Sequence, residues 1–247
     1  MTTAEFFTVD DSDILKRDIV DMIKARDEAA PRGKQRELGP SEIGHPCMRR
    51  LAYGLMCVEK NNPSFDPLPA IVGTSVHKWL ESAASHANTV LGRKRWHTET
   101  RVNITEWLSG SCDLYDGDTQ SVVDYKVPGA SRMAKYKKDP GETYRTQVHL
   151  YGKGFEAAGL PVKTVAIMFL PRGGTLSSAH LWTEPYDESI ADHAIARREQ
   201  AAALLHDFNV EENPDRYEWF AKSGPDCVFC SWFSPNPTSS LQCGGVE

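Results

Sequence analysis

The stretch Asp116-Gly117-Asp118-Thr119, lying between two β-rich runs, constrains this chain more than any other. An Asp-Gly turn between such runs is a strong short-range signal for a hairpin. Ser111 to Tyr115 and Ser121 to Val127 are therefore expected to pair as antiparallel strands. With residues 116–119 as the loop, Tyr115 pairs with Gln120 and Asp113 stands opposite Val122. Asp124 is then the diagonal neighbour of Asp113, roughly 7–8 Å away between backbones. Strand side chains alternate with period two, so Asp113, Asp124 and Lys126 share one face.

Two carboxylates and an ammonium on one face have a chemical meaning. Carboxylate oxygens hold hard cations such as Mg²⁺ or Mn²⁺. Such an ion polarises a phosphate and acidifies water, and a lysine stabilises the developing charge. The same three residues also fit a solvated hairpin face with an incidental ion pair.

Around the hairpin, helical periodicity predicts helices over Ser12–Ala30, Ser41–Met56, Ile71–Leu91, Gly141–Ala158 and Asp187–Phe208. Strands are expected at Trp96–Ile104, Thr164–Leu170 and Ser177–Trp182, with a basic loop after Lys126. Ser41 is a plausible helix cap. The order implies an α/β fold with one mixed sheet flanked by helices. The domain reading is an N-terminal helix and linker over 1–40, a core over 41–210 and a Cys-, Pro- and Gly-rich cap over 211–247.

The net charge of -6 argues against coating nucleic acid by bulk electrostatics, while allowing a local basic groove. No apolar run is long enough to span a membrane, and the first residues lack a signal-peptide pattern, so a cytoplasmic location is expected. There the six cysteines would be reduced, and a cluster of them suggests metal before disulfide.

Further residues extend the pattern. His77 lies in "GTSVHKWLE", Gln147 and Tyr151 are four apart in "QVHLYG", and "CMRRLAY" joins Cys47 to Arg49, Arg50 and Tyr53. Taken singly, each fits packing or a solvated face. In order, His77, Asp113, Asp124-x-Lys126 and Gln147-x-x-x-Tyr151 resemble the PD-(D/E)xK nuclease superfamily, in its RecB-like branch. "CMRRLAY" is similar to the entry motif of the iron–sulfur exonucleases of that branch, including the CRISPR-associated ones. The likeness runs from about Ser41 to Cys243; Cys112 stands where the superfamily's name expects proline.

The resemblance implies a restriction-endonuclease-like fold and hydrolysis of DNA phosphodiesters by metal-activated water. It makes His77, Asp113 and Asp124 ligands of Mg²⁺ or Mn²⁺, with the backbone carbonyl of Tyr125, and makes Lys126 the catalytic lysine. Gln147 and Tyr151 would contact DNA or steady the site. It also implies a [4Fe–4S] cluster on Cys47, Cys227, Cys230 and Cys243, forming a C-terminal cap completed by Cys47. Zn²⁺ is the rival for four thiolates. Cys57 and Cys112 are assigned to packing, as are Trp79, Trp96, Trp107 and Trp182.

Basic residues gather at Arg49/Arg50, Arg93/Lys94/Arg95 and Arg132/Lys135/Lys137/Lys138. The last group could receive a phosphate backbone, with Tyr136 stacking on a base, or be a solvated loop. The resemblance also implies an exonuclease acting on single-stranded DNA ends. Without a Gly-x-x-x-x-Gly-Lys motif, unwinding would need a helicase partner, and recombination or CRISPR adaptation are compatible settings. The alternative is a non-catalytic DNA-binding or assembly subunit that keeps the cysteine site.

Overall fold

A computed structural model describes residues 11–29, 38–62, 66–224 and 226–246. The helices are α1 (Asp11–Glu28), α2 (Pro40–Ile43), α3 (Met48–Leu55), α4 (Leu68–Leu91), α5 (Ala130–Tyr136), α6 (Glu142–Ala157) and α7 (Glu188–Asp207). The strands are β1 (Trp96–Asn103), β2 (Ser109–Asp116), β3 (Ser121–Lys126), β4 (Thr164–Phe169) and β5 (His180–Pro185). They form one mixed sheet in the order β1-β2-β3-β4-β5, with β3 and β4 parallel and the other pairs antiparallel. The parallel pair requires a crossover, and α5 and α6 supply it.

α6 packs close against the sheet, and its small residues set the distance. A Cβ on Gly154 would lie 2.6 Å from Val102 of β1, and one on Gly152 would lie 2.6 Å from the Tyr186 ring. The main core lies between α6 and the sheet and includes Val122, Val148, Leu150, Phe155, Val165 and Ile167.

Several local expectations change. The helix read over Ser41–Met56 is two helices, because Gly44 and Pro46 interrupt it. The first is capped by Gly39 with Pro40 at its start, not by Ser41. Cys47 caps the second, its sulfur accepting from Arg50 N–H. The basic loop after Lys126 is helix α5, whose Tyr136 is buried and stacked on Phe169, so it is not free to stack on a base. The last strand begins at His180, since Leu176–Ser178 is a 3-10 turn.

The predicted N-terminal helix forms, but Leu15, Ile19, Met22 and Ile23 stay exposed. Most of the linker expected before Gly39 (residues 30–37) lies outside the described residues. The C-terminal segment carries its own small core. Tyr217, Phe220 and Trp232 pack with Tyr53 of α3 and Leu205 of α7. The Tyr53 hydroxyl donates to the Ser240 carbonyl (2.6 Å), and Trp232 Nε1 donates to the Val58 carbonyl (3.0 Å). Trp79 is 69% exposed and Cys57 is exposed, so neither belongs to the core. Among the described residues, no helix is long and apolar enough to cross a membrane.

Candidate active site

The site forms where the central hairpin opens. The β2–β3 pairs are Asp116–Ser121, Tyr115–Val122 and Leu114–Val123. This register differs by two residues from the sequence reading, because Asp116 remains in the strand. Arg95 holds it through two 2.8 Å bonds, and the Asp118 N–H and Thr119 hydroxyl also donate to it. Those bonds draw the Asp116 carboxyl down to about 2 from the ordinary 3.8. The loop therefore runs from Gly117 to Gln120, and Gln120 adopts φ 56°.

The shift preserves parity and places Asp113 level with Asp124. The pairing stops one step earlier, at Leu114–Val123, and the strands part there. Asp113 Oδ2 accepts the Tyr125 N–H at 2.6 Å, and its Oδ1 lies 3.1 Å from His77 Nδ1. α4 brings His77 to the sheet, its ring edge-on to Tyr125 at 5.8 Å. The hydrogen bond to Asp113 raises the His77 pKa, partly offset by burial.

Asp124 is 3% exposed. Its Oδ1 accepts from Gln147 Nε2 (3.1 Å), and its Oδ2 lies 2.5 Å from Lys126 Nζ. The Lys126 contact is ionic and not aligned as a hydrogen bond, so that buried oxygen has no hydrogen-bond donor. Burial, with Asp113 adding to it, pushes the Asp124 pKa up to about 6 against the pull of Lys126. A buried, under-satisfied carboxylate beside a second one fits a cation-binding site.

Gln147 links the parts. Its Oε1 accepts from Lys126 Nζ (3.2 Å), and its Nε2 also reaches the Tyr151 hydroxyl (3.3 Å). Both α6 residues are buried, so they steady the site from behind. Two further residues enter that motif reading missed. Tyr144, one turn before Gln147, places its ring 4.7 Å from Lys126 Nζ. A ligand atom of Glu99 on β1 lies within 4.8 Å of those of His77 and Asp113. Pairing β1 with β2 would have found Glu99, which stands level with Asp113 between Thr98–Leu114 and Thr100–Cys112.

The four candidate cluster cysteines converge elsewhere. Cys47, Cys227, Cys230 and Cys243 line one cavity with His45, Arg49, Arg50 and Lys222. The loop through Pro237 returns Cys243 beside Phe233. Backbone N–H groups of Arg50 and Gly245 point at the sulfurs of Cys47 and Cys243, at 3.5 and 3.4 Å. No three of the four sulfurs lie within 4.8 Å of one another. Tetrahedral Zn²⁺, with Zn–S near 2.3 Å, needs sulfurs only ~3.8 Å apart.

The basic candidates separate. Arg49 is buried and donates to the Glu218 carbonyl at 2.5 Å, so its guanidinium serves the cap and not a phosphate. Arg50 lines the cysteine cavity. Lys135 and Arg132 on α5 are solvent-facing, each 3.9 Å from Asp226. Cys112 is fully buried, as expected of a packing residue.

Neither a protein-family model nor a curated protein matches the sequence. Solved structures with a similar chain path include an alkaline exonuclease from Laribacter hongkongensis. It is 11% identical at TM-score 0.48, over 74% of this chain and 95% of that one. The protein SSO0001 is 16% identical at 0.48, over 88% and 94%. A phage-related exonuclease from Haemophilus somnus is 16% identical at 0.43, over 67% and 81%. Identities this low carry over no residue role.

Proposed function

We propose that this chain is a Mg²⁺- or Mn²⁺-dependent deoxyribonuclease, an exonuclease acting on single-stranded ends. One observation carries the reading: Asp113 and Asp124 stand level where β2 and β3 part, with Lys126 ion-paired to Asp124. His77, Asp113, Asp124 and the Tyr125 carbonyl would hold the ion. When bound, it polarises a phosphate oxygen and makes water a better nucleophile at neutral pH. Lys126 places an ammonium beside the phosphate, where it stabilises the charge that develops on the oxygens. Gln147 fixes that ammonium by accepting from it while donating to Asp124. Tyr151 steadies the Gln147 amide. Lys135 and Arg132, solvent-facing on the helix just after β3, would receive the DNA backbone.

The cysteine cavity belongs to the same reading as a structural [4Fe–4S] site. Four thiolates, two backbone N–H donors and the nearby Arg50 and Lys222 suit a group with negative charge on sulfur. Zn²⁺ is the rival for the same four sulfurs, and the likeness of "CMRRLAY" to the iron–sulfur entry motif favours iron–sulfur. A cytoplasmic setting, with a helicase, recombination or CRISPR-adaptation partner, completes the proposal.

The alternative, a binding subunit without chemistry, has less support, since no element of the acid–acid–lysine set is missing. The test is degradation of end-labelled single- and double-stranded DNA with Mn²⁺ or Mg²⁺. Asp113→Ala and Lys126→Ala should each abolish cleavage, and Lys126→Ala should still bind DNA. Cleavage surviving both substitutions would remove the site from the reaction.

A further inference from the structure

We infer that Phe229, between Cys227 and Cys230, is a stacking platform for a base of single-stranded DNA, with Arg132 and Lys135 holding phosphates beside it. This rests on the DNA-binding part of the nuclease reading and extends it to a residue outside the acid–lysine site.

The ring meets the helix that leaves the active site. β3 ends at Lys126, and α5 starts at Ala130. Met133 and Tyr136 bury one face of α5. Arg132 and Lys135 are three apart on the helix, so they project together from the solvent face. The turn Cys227–Phe229 lies against that face. Arg132 Cζ is 5.0 Å from the centre of the Phe229 ring, and Asp226 is 3.9 Å from both cations. With Arg132 in place, Phe229 is still 51% exposed, and Val228 beside it is exposed as well. Arg172 donates to the Val127 carbonyl (3.2 Å), so a third exposed cation stands just past Lys126.

Three tryptophans are also exposed among the described residues: Trp79, Trp107 and Trp219. Trp79 follows His77 by two residues on α4, and at about 100° per residue it points away from the site. Trp107 and Trp219 lie against Arg198 and Arg216. Of the four aromatics, Phe229 is the one set against a cation of α5. Bases of any identity stack on an aromatic ring, while flanking cations track the backbone. In a duplex the bases stack on one another, so a surface ring captures only an unpaired base. The platform therefore selects single strands. Asp226 does not cancel its charge. Exposed ion pairs of that length are worth little, so a phosphate can replace the carboxylate.

The test is fluorescence anisotropy of a labelled oligothymidylate on the full chain, without added divalent cation so that nothing is cleaved. Phe229→Ala should weaken binding roughly 5- to 100-fold, and Phe229→Trp should restore it. Arg132→Ala should weaken every oligonucleotide alike and lower the salt slope by about 0.7. Because Phe229 lies between two cysteines, the loss could come from a disturbed cap, so the oligonucleotide is varied too. An abasic residue, moved along the strand, should weaken the wild type at one position and add nothing to the loss in Phe229→Ala. Only a contact between ring and base gives that pattern. Equal binding by Phe229→Ala, or an abasic scan without a sensitive position, would overturn the inference and leave the nuclease reading standing. A wild type that shows the pattern but cleaves nothing with Mn²⁺ would support the platform and overturn the nuclease reading.

Discussion

At the scale of single residues, Gln147 ties the parts of the candidate site together. Its amide touches Asp124, Lys126 and Tyr151, and it is 6% exposed. Among the described residues, no other neutral side chain hydrogen-bonds both Asp124 and Lys126. Gln147→Ala should lower the cleavage rate about 10- to 100-fold, the range seen when a supporting partner of a metal site is lost. Circular dichroism should be unchanged, and single-turnover rates with labelled DNA would check the effect. Conversely, Arg49 shows how a residue type misleads. The sequence places it beside Arg50 at a helix start, but burial commits its guanidinium to the Glu218 carbonyl.

At the scale of elements, the hairpin turn is held by a partly buried ion pair. Arg95 holds the Asp116 carboxyl at about 2, below the ordinary 3.8. Between those values the unfolded chain takes up a proton that the folded chain refuses. The stabilisation is therefore complete above pH 3.8 and is lost as pH falls through about 2. Arg95 is partly exposed, so the contribution is about 1–2 kcal/mol. Asp116→Asn should lose that amount at neutral pH and flatten the acid limb of stability. Urea melts across the acid range would measure both. Because Asp116 sets the register that aligns Asp113 with Asp124, the same substitution should also slow cleavage.

At the scale of the whole molecule, two cores meet at α3 and α7. The sheet carries Asp113 and Asp124, while the cap of α3 and the C-terminal segment carry the four cysteines. The cap has its own aromatic packing around Tyr53, so a metal cluster would reinforce it and not create it. Anaerobically prepared protein should be brown, with iron and acid-labile sulfide. Cys230→Ser should lose the colour and expose the segment after Phe220 to limited proteolysis, while the sheet stays folded. A colourless protein containing stoichiometric zinc would exclude the iron–sulfur assignment.

The sequence by itself determined the hairpin, the shared face of Asp113, Asp124 and Lys126, and, apart from α5, the element order from β1 to α7. Those are local properties: period-two alternation, an Asp-Gly turn and helical periodicity suffice for them. Register parity survived a two-residue shift because the loop length stayed even. The tertiary structure decided what depends on contacts between distant segments. It aligned Glu99 with Asp113 through strand pairing, buried Arg49 and Tyr136, and split one expected helix at Gly44 and Pro46. It gathered four cysteines, from the cap of α3 and the C-terminal segment, into one cavity. Strand pairing and burial are properties of neighbours in space, and local periodicity contains no information about which neighbours those are.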